Sequence, residues 1–121
     1  MFFMSLLKGG IKLANNISIT VRLPRELNVQ LATVARDIGM TKTNLIRSAI
    51  HDFLSNEDFE LEFSNTYEGK PDRLVLNVNK LTHDILENAC KKYSQSMNAV
   101  ITAVSILALE RSAKWLQSTQ K

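Results

Sequence analysis

The chain has 121 residues, 45% of them apolar, and 15 Lys/Arg against 12 Asp/Glu give a net charge of +3. That suffices for one compact domain with a core and is too little for two large ones. The mild basic excess fits a nucleic-acid partner without requiring one, and the single cysteine excludes an intrachain disulfide framework and points to a reducing, cytoplasmic compartment.

Residues 1–16 read as an N-terminal arm. Met1–Leu7 is apolar, but no basic residue precedes the run. The run is short for a signal-peptide core and far too short to span a bilayer, so no membrane association is expected. A docking segment or an unstructured arm fits it better. Lys8 and Lys12 leave two readings open, a basic arm on DNA or no role, and Gly9-Gly10 breaks any regular element there.

Residues 17–24, ISITVRLP, alternate strictly. As a strand they send Ile17, Ile19, Val21 and Leu23 to one face and Ser18, Thr20 and Arg22 to the other. Pro24 ends the strand and suits the opening of a helix. From Arg25 the period turns helical, with Leu27, Leu31, Val34, Ala35 and Ile38 at spacings of three and four. Gly39 is expected just past that helix, where a left-handed residue is needed. Thr41 is the expected N-cap of a second helix with a stripe of Leu45, Ile46, Ala49, Ile50, Phe53 and Leu54.

Residues 57–72 differ in chemistry. Six acids against one lysine separate two basic stretches, and Phe59, Leu61 and Phe63 alternate with acids. A short extra strand or an extended tether is expected, with Gly69 and Pro71 as breakers. The first pattern then returns: Leu74–Asn79 as a strand, helices over 80–93 and about 97–116. A constant offset of 55 carries Leu23 onto Val78, Leu31 onto Leu86, Ala35 onto Cys90, Thr41 onto Ser96 and Ile46 onto Ile101. A repeat that satisfies strand and helix periods together indicates a duplicated unit. The expected divisions are therefore 1–16, a first unit 17–56, an acidic linker 57–72, and a second unit 73–121 with an extended last helix.

Thr20-Val-Arg-Leu-Pro-Arg-Glu-Leu27 followed by Gly39-Met-Thr-Lys-Thr-Asn-Leu-Ile-Arg47 resembles the ribbon-helix-helix family of Arc/MetJ-type DNA-binding proteins. Two copies in one chain resemble the tandem architecture of the plasmid-transfer protein TraY. The resemblance implies a mainly α fold with a two-stranded antiparallel β-ribbon over four helices, the two motifs forming one pseudo-two-fold domain. It implies sequence-specific binding of double-stranded DNA through the ribbon in the major groove. The base-contacting residues would be Ser18, Thr20, Arg22, Arg73, Val75 and Asn77. The phosphate-contacting residues would be Thr41, Lys42, Thr43, Ser96 and Asn98, near helix N-termini that favour anions. There are departures. Met40, Leu45 and Ala49 stand where Arc carries a buried Arg–Glu–Arg triad, a replacement compatible with the fold. Ser94 replaces the glycine between the helices, and Val75 replaces a polar base-contacting residue, although an apolar group can meet a thymine methyl.

Function is expected to be transcriptional repression by occlusion of a plasmid or phage promoter. The alternatives are a relaxosome accessory protein of conjugation, an antitoxin acting as autoregulator, and a protein adaptor without DNA binding. Homo-oligomers on adjacent sites and a protein partner at the acidic linker are further expectations. No enzyme, metal or cofactor is expected: there is no nucleophile–base–orienter set and no phosphate-cradling glycine loop. His51 and His83 lack metal-ligand spacing, Cys90 falls on an apolar face, Lys91-Lys92 reads as a solvated face, and Trp115 and Leu116 read as core or subunit contact.

Overall fold

The computed structural model describes residues 16–63 and 67–119, so Met1–Leu7, Lys8 and Lys12 lie outside the described residues. The elements run β1 (Ile17–Pro24), α1 (Arg25–Asp37), α2 (Lys42–Leu54), β2 (Pro71–Val78), α3 (Lys80–Tyr93) and α4 (Met97–Thr119). Strand, helix, helix thus occurs twice in the same order. The protein is mainly helical, with one two-stranded antiparallel sheet.

The two strands pair with Ser18 opposite Asn77, Thr20 opposite Val75 and Arg22 opposite Arg73. Their alternation buries Ile19, Val21, Leu23, Leu74, Leu76 and Val78 on the helices and exposes the residues between them. A two-stranded ribbon has no stability of its own in water, so this inward face is what holds it. Beneath it Leu27 and Leu31 of α1, Leu45, Ile46 and Ile50 of α2, Leu86 of α3 and Val100, Ile101 and Val104 of α4 form one continuous core. Helix α4, about 34 Å long at 1.5 Å per residue, touches β1 and all three other helices. Its burial on several faces explains why its sequence is apolar nearly all round through residues 100–109.

The turns follow local chemistry. Gly39 has φ of 79° just after α1, and Thr41 Oγ1 accepts from Asn44 N at the start of α2. Ser94 holds φ of 54°, a left-handed position that a side chain occupies at a cost. Three boundaries differ from expectation. Strand β2 begins at Pro71, not Leu74, because Leu23 and Pro24 find partners in Asp72 and Pro71. Asn79 leaves the strand and caps α3, its Oδ1 accepting from Thr82 N at 2.8 Å. The last helix continues to Thr119.

Among the described residues 57–63 there is no strand. This stretch is docked. Leu61 is buried, Phe59 packs against Phe53 with ring centres 5.2 Å apart and tilted, and Phe63 meets Tyr93 edge-on at 5.3 Å. The Tyr93 hydroxyl donates to Phe59 O at 3.1 Å and accepts from Leu61 N at 3.0 Å. The alternation of the stretch spends its apolar residues on the core and leaves Glu60 and Glu62 exposed. Farther on, Gly69 has φ of 106°, and a Cβ there would meet Arg25 Cβ at 3.0 Å. That close approach lets Lys70 O and Glu68 O accept from Arg25 N and Glu26 N. The connector so caps α1, whose own N-cap residue, Pro24, makes no side-chain cap bond.

Candidate nucleic-acid interface

The outward face of the ribbon carries six side chains in three facing pairs. Ser18, Thr20, Arg22, Arg73, Val75 and Asn77 are all exposed. The antiparallel register sorts them by chemistry. Two guanidinium groups share one end, Thr20 and Val75 form the centre, and a hydroxyl and an amide share the other end. At that other end Ser18 Oγ donates to Asn77 Oδ1 at 2.7 Å.

Both outer edges of the ribbon are tied down by helices of the other half. Asn98 of α4 accepts from Arg22 N at 2.7 Å and donates to Arg22 O at 3.1 Å. Arg47 of α2 donates from Nη1 to Asn77 O at 2.8 Å, with its Nη2 on Asn44 Oδ1. These contacts satisfy backbone groups that an edge strand otherwise leaves open. They also fix the height of Arg22 and Asn77 above the helices.

The helix starts flanking the ribbon differ in what they leave available. Thr41 spends its hydroxyl on capping, with Thr43 Oγ1 3.4 Å away. Lys42 is half-buried and its Nζ donates to Asn28 Oδ1 at 2.6 Å. Asn28 Nδ2 donates in turn to Asp72 Oδ2 at 3.1 Å, and Arg25 pairs with Asp72 Oδ1 at 3.1 Å. The Asn28 amide and then the Arg25 guanidinium, with Lys42 beyond, hold the Asp72 carboxyl below the usual carboxylate range. The lysine is therefore pre-positioned by its neighbours at the flank of the ribbon. At α4, Ser96 Oγ accepts from Ala99 N at 3.0 Å, which is capping as at Thr41. The Asn98 amide is engaged by the strand edge in the free protein.

Beside the Asn77 end lies a polar recess of about 540 Å³ whose walls include Thr43, Arg47, His51, Asn77, Asn79 and Thr82. His51 Nε2 and Thr82 Oγ1 are 2.7 Å apart across it. By the repeat offset the matching positions on the other flank are Asn98, Thr102, Ile106, Arg22, Pro24 and Leu27, a more apolar set. The two flanks are thus chemically unlike.

Sequence reasoning located the six ribbon residues and the helix starts. It gave Arg47, Asn28 and Asp72 no role, because the contacts that join Arg47 to Asn77, Lys42 to Asn28 and Asn28 to Asp72 span 30, 14 and 44 residues. It also treated His83 as isolated. The structure brings ligand atoms of His83, Asp84 and Glu87 within 4.8 Å on one turn of α3, the separation that helix neighbours have by geometry alone. Cys90 is half-buried, and burial raises its thiol above the ordinary value. Trp115 is half exposed, its ring 4.9 Å from the Arg111 guanidinium. Among the described residues no helix is long and apolar enough to cross a membrane. No protein-family model, no curated protein and no solved structure matches the chain.

Proposed function

We propose that this protein is a tandem ribbon-helix-helix protein in which one chain supplies both motifs, and that it binds double-stranded DNA by sequence through the ribbon in the major groove. The observation that carries the proposal is the exposed polar and cationic face of an isolated two-stranded antiparallel ribbon, in the register Ser18–Asn77, Thr20–Val75, Arg22–Arg73. A two-stranded ribbon fits the major groove, where the four base pairs show distinct donor and acceptor patterns. The repeat offset maps Thr20 onto Val75, and the strand register pairs the same two residues. Two independent measures of symmetry thus agree on one centre, which supports a pseudo-two-fold pair of motifs.

In this reading Arg22, Arg73 and Asn77 meet base edges, while Thr41, Lys42, Thr43 and Ser96 at the helix starts meet phosphates. Phosphate contacts position and base contacts specify. In this reading the protein represses transcription by occluding a promoter. The test is binding-site selection from random duplexes with the full chain, followed by affinity measurements across salt. Sequence-dependent binding that weakens linearly in log salt is expected. Salt-insensitive or absent DNA binding would instead support an adaptor that binds protein alone.

A further inference from the structure

The packing of α2 on α3 leaves a crevice of about 760 Å³ whose walls include Phe53, Leu54, Leu81, Ile85, Ala89 and Tyr93. Leu81, 62% exposed, is the barest large apolar side chain among the described residues. One end of the crevice lies beside the start of β1. His51 of α2 and Thr82 of α3 are 2.7 Å apart, and Asn16, the residue before β1, lines the same polar recess. One helical turn farther along the two helices stand Leu54 and Ile85, in the crevice wall. The repeat supplies a counterpart. An offset of 55 carries Gln30 onto Ile85, Val34 onto Ala89 and Leu54 onto Leu109. Gln30, Val34 and Leu109 line a crevice between α1 and α4 of only about 340 Å³, and Tyr67 lines it with them. Tyr67 belongs to the connector leading into β2 and packs against the core. The chain leading into β1 is the corresponding segment for the larger crevice, and residues 1–15 of it lie outside the described residues.

We infer that the apolar segment Met1–Leu7 occupies the α2–α3 crevice of its own chain. Phe2, Phe3, Met4, Leu6 and Leu7 bring apolar side chains to an apolar wall, and covering both removes that surface from water. The offset of 55 carries Met4 and Leu6 onto Phe59 and Leu61, which dock on the core ahead of β2. Reach is sufficient. Leu81 to Tyr93 spans about 18 Å at 1.5 Å per residue. The eight residues between Leu7 and Asn16 span up to about 27 Å when extended. A tether that short holds the segment at an effective concentration on the order of millimolar, which favours it over the same segment of a second copy in dilute solution. Helix α2 belongs to the first strand–helix–helix unit and α3 to the second, so the docked segment fastens the two units together.

The experiment places the photocrosslinker p-benzoylphenylalanine at position 3 of the full chain, irradiates dilute protein and maps the products by mass spectrometry. Crosslinks within one chain, to the α2 and α3 residues that line the crevice, are expected. Crosslinks that join two chains, that fall on other surfaces such as the Tyr67 crevice, or that do not form at all overturn the inference. A second measurement uses no probe. Leu81 stands outside the core, so Leu81→Gln leaves the fold intact. It should lower the Tm of the otherwise unchanged chain by about 3–5 °C, the scale of uncovering one leucine side chain. In a Phe2→Ser/Phe3→Ser chain the same change should move the Tm by less than about 1 °C, because the apolar partner is gone. Equal shifts in the two backgrounds, or none in either, refute the docking.

Discussion

Removing either ribbon arginine should damage recognition at one end of the site only. Arg22 and Arg73 come from different strands, but the antiparallel register sets them opposite each other. Both are exposed, so truncation to alanine leaves the core untouched. A guanidinium bidentate to guanine O6 and N7 contributes about 1–3 kcal/mol of discrimination, or roughly 5- to 150-fold in affinity. Arg22→Ala and Arg73→Ala should each cost this much at the same guanine-preferring end. The double variant should lose more than the two single losses combined, because removing one of two neighbouring cations relieves their repulsion and partly offsets each single loss. Selection on the intact protein and both variants, with fluorescence anisotropy on the selected duplexes, reads the effect position by position. A site asymmetric within one bound chain is expected. Variants that lose preference at opposite ends, or a palindromic site beneath one chain, would refute an intramolecular ribbon in this register.

Four other outcomes follow from single contacts. Lys42→Ala should weaken binding to all duplexes about equally and lower the salt slope by roughly one ion, measured by anisotropy across salt; a changed base preference would contradict a phosphate role. Tyr93→Phe removes the donor to Phe59 O and the acceptor for the buried Leu61 N, so at about 1 kcal/mol per bond it should cost about 2 kcal/mol in urea unfolding. Ser94→Gly relieves a left-handed side-chain position and should stabilise by about 0.5–1 kcal/mol, seen as a higher Tm. Because the carboxyl of Asp72 is depressed in the folded state, its contribution is fully present above the unfolded value near 4 and is lost as pH falls through the folded one; the stability gap between wild type and Asp72→Asn should shrink in unfolding curves taken below about pH 4 and stay constant above.

The two amphipathic periods, the stop at Pro24, the glycine after α1 and the Thr41 cap were legible in the sequence because each depends on neighbours within one turn of chain. The repeat went further. Its offset named Thr20 and Val75 as equivalent, and antiparallel pairing about that centre yields the observed register. What the sequence by itself determined was therefore the identity and alternation of the ribbon face. Tertiary structure alone decided how that face is held and edged. Asn98 looks like a helix-start residue, yet its amide closes on the backbone of Arg22, 76 residues earlier. Lys42 looks like a free cation, yet it ends a chain of polar contacts through Asn28 to Asp72 and Arg25. The acidic connector looks like a tether, yet the Tyr93 hydroxyl and two aromatic contacts dock it on the core. Periodicity reports which face of an element is apolar, because that is a property of spacing. A polar side chain's partner is set by which distant backbone or amide comes within 3 Å once the core has closed.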